Sequence, residues 1–128
     1  MVRFIQGAGY RADLRTTDLG PYIVSADSGL TWILIFQGCE GGQNCSSIQF
    51  YAGFKKQGVA LASLNQWNRT HRYGRAYLDD NRDPAIEMDV NFTGGGLSEE
   101  NFRDNLKIWI ALFVSYREFV QKSESASQ

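Results

Sequence analysis

Arg75-Ala76-Tyr77-Leu78-Asp79-Asp80-Asn81-Arg82-Asp83-Pro84-Ala85-Ile86-Glu87-Met88-Asp89-Val90-Asn91-Phe92 carries the pattern on which the fold turns. Two runs alternate apolar and polar side chains on either side of a loop rich in Asp and Asn, the signature of a hairpin with one core face. Setting Arg75 across from Glu87 keeps the apolar positions, Ile86, Met88, Val90 and Phe92 among them, on one side. A slip of one residue mixes the two faces, so this register is the one predicted.

N-terminal to the hairpin, Ser46 to Phe54 alternates in the same way, with Ile48, Phe50, Ala52 and Phe54 inward. It is expected to pair with Leu30 to Phe36, placing Leu34 across from Phe50 and Phe36 across from Ile48. In that earlier strand Leu30, Trp32, Leu34 and Phe36 share one face while Ile33 and Ile35 occupy the other, a pattern that predicts a central strand covered on both sides. Tyr10 to Thr16 reads as a half-buried strand, Asp18-Leu19-Gly20-Pro21 as its turn and Tyr22 to Ala26 as the return strand. Ala60, Leu64 and Trp67 then recur at helical spacing, predicting a short helix from Val59 to Thr70.

On the C-terminal side Thr93-Gly94-Gly95-Gly96 ends the sheet, and Ser98 is placed as an N-cap with Glu99 and Glu100 against the positive helix terminus. A long helix follows to about Gln121, with Phe102, Leu106, Trp109, Ile110, Phe113, Tyr116 and Val120 as its main apolar stripe. Ile108, Leu112 and Phe119 form a second flank, more apolar than a solvated face, and are the candidate interface. The polar tail Ser123 to Gln128 is predicted to be disordered, leaving residues 1–122 as one domain.

The 128 residues, 43% hydrophobic and 21% charged, are those of a single α+β domain. A net charge of -1 argues against sequence-independent nucleic-acid binding, which needs concentrated basic charge. One His and two Cys are too few for most zinc, haem or iron-sulfur frameworks, and neither metal nor cofactor is expected. The longest apolar run, Ile108 to Val114, falls below the roughly 20 residues of a membrane span. Val2, Phe4 and Ile5, followed by Gly7 and Gly9, resemble the last turns of an amphipathic helix, which leads to the expectation that the natural protein begins upstream of Met1.

Few residue groups invite chemistry. Extending the predicted register brings Cys39 opposite Cys45, at the separation of about 4.5 to 5.5 Å that a disulfide accepts. The alternative is two reduced thiols, and the compartment decides between them. Asp79-Asp80-Asn81-Arg82-Asp83 opens like a calcium loop but has Pro84 and Val90 where an EF-hand needs Gly and Glu. Gly94-Gly95-Gly96 precedes a helix without the Lys-Ser/Thr of a phosphate cradle. Glu87 and Asp89 read as cross-strand partners of Arg75 on an exposed sheet side, and His71 as a helix-closing residue. No acid, base and nucleophile converge, so no enzyme is expected.

Gln49-Phe50-Tyr51-Ala52-Gly53-Phe54, Asn65-Gln66-Trp67-Asn68-Arg69, Arg75-Ala76-Tyr77-Leu78-Asp79 and Glu87-Met88-Asp89-Val90-Asn91, in this order, resemble the YbjN family of bacterial sensory transduction regulators. The resemblance runs from about Gly9 to Val120. It implies a fold like that of type III secretion chaperones: a helix, an antiparallel sheet of about five to six strands interrupted by a helix, and a long closing helix packed on it. It further implies a non-enzymatic protein-binding module, regulatory or chaperone-like, in bacterial envelope or stress physiology, binding another protein or itself as a homodimer. The alternative is a small-ligand or stress sensor with a pocket between sheet and closing helix near Trp32, Trp67 and Trp109. Gly38-Cys39 and Cys45-Ser46 resemble family members that carry export signals. A truncated N-terminus would favour the periplasm with an oxidised Cys39–Cys45 hairpin; otherwise the protein is expected in the cytoplasm.

Overall fold

The computed structural model describes residues 1–17, 20–27, 30–40 and 45–123. The elements follow in the order α1 (Val2–Gly7), β1 (Asp13–Thr17), β2 (Gly20–Asp27), β3 (Leu30–Gln37), β4 (Ser47–Gly53), α2 (Leu61–Thr70), β5 (Arg75–Leu78), β6 (Pro84–Asn91) and α3 (Glu99–Lys122). Among the described residues the six strands form one antiparallel sheet in the order β1-β2-β3-β4-β6-β5. The class is α+β, as the alternation of the strands and the helical spacing of the last segment require.

The hairpin register is as predicted, with Arg75 opposite Glu87 and Ala76 opposite Ile86. Leu34 likewise faces Phe50, and Phe36 faces Ile48. A single row, Leu14, Ile23, Leu34, Phe50 and Met88, therefore crosses five strands on one face. All of it is buried except Leu14 at the edge. Helix α3 lies over this row: Trp109 stacks on Phe50 with ring centroids 5.4 Å apart, and Trp32 meets Trp109 edge-on at 6.1 Å. The other helices join the same side, α1 through Phe4 against Phe102 and α2 through Trp67 against Tyr116.

Helix α3 begins at Ser98, whose hydroxyl accepts the Asn101 N–H, and carries Glu99 and Glu100 in its first turn. Its far end is tied down by Lys56, whose Nζ donates to Val120 O at 2.7 Å, a cation against the last helix carbonyls. At the loop before β6, Asp79 Oδ1 accepts the N–H groups of Asn81 and Asp83, so these acidic residues build a turn.

Four expectations change. Ile33 and Ile35 of β3 are half-buried, with no helix on their side of the sheet among the described residues. They are shielded laterally by neighbours such as Val24, Tyr22 and Tyr51 instead of by a second layer. β1 starts at Asp13 and is exposed along its whole length, as the edge strand of the sheet. α2 starts at Leu61, with Val59 buried ahead of it as part of the core. Glu87 was expected on an exposed side and is only 9% exposed. The turn at 18–19 and the tail at 124–128 lie outside the described residues.

Candidate interaction site

Helix length explains where apolar surface is left open. At about 1.5 Å per residue, the six-residue α1 spans about 9 Å, while α3 with its 24 residues spans about 36 Å. α1 reaches α3 at Phe102 and covers only that end. Beyond it a groove of about 900 Å³ runs between α1 and α3, floored by Phe4, Leu106, Ile110 and Val114. The α3 residues are spaced by four, so they form one row beside the stripe that faces the sheet.

The polar residues of the groove are unevenly charged. Arg3, Arg103 and Lys107 line it toward the α1 end, and Glu118 lies farther along α3. Arg103 is held in place twice: its Nη2 pairs with Glu99 Oε1 at 2.6 Å, and its guanidinium sits 5.7 Å over the Phe4 ring centroid. Lys107 is exposed beside it. The chemistry offered is apolar contact with a cationic end.

The residues singled out from the sequence lie elsewhere. Leu112 is 7% exposed, packed beside Gly74, while Ile108 is half-buried. Phe119 packs on Trp67 and Tyr116 at 5.3 and 5.6 Å. This flank faces α2 and the hairpin, on the side of α3 away from the groove. Trp32, Trp67 and Trp109 are 1%, 5% and 0% exposed. Their rings fill the space between sheet and helix, with Trp67 joined to Trp109 through Tyr116, Phe54 and Phe113. The pocket expected there is occupied by side chains. In the sequence Ile110 falls within the main apolar stripe, and periodicity alone does not mark it as bordering a groove.

Cys39 and Cys45 are joined by a disulfide across the outer ends of β3 and β4. His71 stacks face to face on Trp67 at 3.5 Å, its Nδ1 3.0 Å from Trp67 O at the end of α2. On the open face of the sheet Arg75 bridges Glu87, at 2.8 Å, and Asp89. Burial first, and then a hydrogen bond from its hydroxyl to Glu87, push the Tyr77 phenol above its ordinary pKa. Burial first, and then the charges of Asp79, Glu87 and Asp83, push Tyr51 the same way. This cluster is a set of mutually satisfied partners.

Among the described residues no helix is long and apolar enough to cross a membrane, and no three His, Cys, Asp or Glu side chains gather to hold a metal ion. A family model with the description "YbjN: Putative bacterial sensory transduction regulator" matches residues 1–122. Neither the curated proteins nor the solved structures contain a match to the chain.

Proposed function

The chain belongs to the YbjN family of bacterial sensory transduction regulators, and from that premise we propose that it regulates by binding another protein in the groove between α1 and α3. The observation that carries this reading is the half-buried pair Ile110 and Val114, in line with the buried Leu106 on α3 and beside Arg3, Arg103 and Lys107. The occupant that suits it is an apolar segment of a partner protein flanked by acidic residues, since a cationic rim selects the partner and an apolar floor holds it. A chaperone-like variant of this role, shielding such a segment until it is used, needs the same surface. Ile108 lies outside the groove and contributes only if the partner wraps over α3.

The test places a photo-crosslinking amino acid at Ala111, exposed in the groove, and identifies its adducts in the native host by mass spectrometry. The expected result is one protein crosslinked through an acidic-apolar segment, with binding of the purified partner weakened at least about tenfold by Ile110→Asp. Purified partner that binds Ile110→Asp as tightly as wild type would remove the groove from the function. A second reading, a small-ligand sensor, draws on the groove's size, which falls within the range of small-molecule sites. Its signature is a thermal shift with apolar carboxylates that Ile110→Asp abolishes.

A further inference from the structure

The two edges of the sheet are finished differently. β5 lies against α2, and Asn68 turns its side-chain amide onto Ala76: Nδ2 donates to Ala76 O at 3.0 Å, and the Ala76 N–H donates to Asn68 Oδ1 at 2.8 Å. These two bonds reproduce what a further strand would make and close that edge. Among the described residues β1 forms the opposite edge and pairs on one side only, with β2. All five of its residues are exposed, and it contains neither Pro nor Lys to deter pairing. Its Leu14 is 61% exposed and borders an apolar recess of about 520 Å³ formed with Val2, Phe4, Ile23 and Phe36.

We propose that β1 pairs antiparallel with β1 of a second copy of this chain, across a two-fold axis at Leu14, joining two sheets into one. The outward-facing backbone groups of an antiparallel strand belong to alternate residues, so the pairing has to oppose residues of like parity. Centring the axis on Asp13 sets that carboxylate against itself, and centring on Arg15 sets the guanidinium against itself. Directly opposed like charges destabilise a pair of strands. Centring on Leu14 brings the two leucines together and sets Asp13 across from the partner's Arg15 twice. The edge is thus complementary to itself, as an isologous interface requires. The partner's Leu14 also approaches the apolar recess, which explains why a leucine is exposed on an otherwise polar strand. Asp13, Leu14 and Arg15 do not line the α1–α3 groove, although Phe4 borders both the groove and the recess, so exchanges at 13 and 15 test this dimer separately from the partner-binding reading.

An interface built on a five-residue strand is small, and association is expected in the micromolar to submillimolar range. Sedimentation equilibrium of the full chain between about 1 μM and about 1 mM tests it. Wild type is expected to pass from monomer to dimer. Asp13→Arg and Arg15→Asp are each expected to raise the dissociation constant at least about tenfold, by opposing like charges. The double exchange, Asp13→Arg with Arg15→Asp, is expected to restore wild-type association. Both positions are exposed, and near-UV circular dichroism checks that each variant is folded; recovery in the double variant separates charge pairing from damage to the strand. A wild type that stays monomeric throughout overturns the proposal. So does a dimer indifferent to both single substitutions, or a double exchange that fails to recover.

Discussion

The hydroxyl of Tyr116 is buried among Trp67, Phe54 and Phe119 and has no hydrogen-bond partner among the described residues. Burial pushes its phenol well above the ordinary pKa, because the charged form would lie in an apolar cluster. The unfolded chain releases this proton near pH 10.0, the ordinary tyrosine value, while the folded one retains it. Stability is therefore level below that pH and falls as pH rises beyond it, the direction set by a folded-state pKa that is raised. Tyr77 acts with the same sign. Tyr116→Phe is expected to leave stability at neutral pH unchanged or raised by up to about 1 kcal/mol, and to flatten the alkaline loss. Urea midpoints between neutral and alkaline pH measure both effects. A clear loss at neutral pH would mean that the hydroxyl is satisfied after all. Arg75 opposite Glu87 was legible in the sequence, whereas the near-complete burial of Glu87 was not. Alternation assigns a residue to a face and says nothing about how closely Arg75, Tyr77 and Tyr51 crowd it.

Among the elements, α2 does more than fill the core. It places Asn68 against the β5 backbone, in a reciprocal amide pair that no periodicity analysis detects, since residues 68 and 76 belong to elements of different period. Asn68→Ala removes both bonds and leaves a part-buried N–H and C=O unpaired, a loss of about 1 to 3 kcal/mol. The variant is also expected to aggregate more readily through the freed edge. Urea denaturation and static light scattering read the two effects separately, and an unchanged midpoint would show that this amide does not secure the edge. The long helix was legible from Ser98 to its last turn, because capping and apolar spacing are local. Its neighbours were not. Leu112 and Ile110 look alike in the sequence, yet the first packs beside Gly74 and the second lies in the groove, according to which side of α3 the shorter helices take.

For the molecule as a whole, the Cys39–Cys45 bond staples the outer end of the β3–β4 pair without enclosing the core. Closing so short a loop stabilises by roughly 2 kcal/mol in the chain-entropy model. Reduction, or the double substitution Cys39→Ser with Cys45→Ser, is expected to lower stability by about that amount with the fold retained. Guanidinium denaturation with and without reductant checks this; unfolding on reduction alone would show that the aromatic core is weaker than its burial indicates.

The sequence by itself determined the class of the fold, the registers of the β3–β4 and β5–β6 pairs, the cap of α3 and the proximity of the two cysteines. Each is dictated by local geometry: a period of two or 3.6, a capping side chain, a pairing that tolerates no slip. Tertiary structure alone decided which apolar residues remained uncovered. The three tryptophans, candidates for a pocket, became the filling of the core, and the flank Ile108, Leu112 and Phe119 turned toward α2. The open surfaces arose at the groove beside a short α1 and at the β1 edge, because coverage depends on the lengths and positions of neighbouring elements.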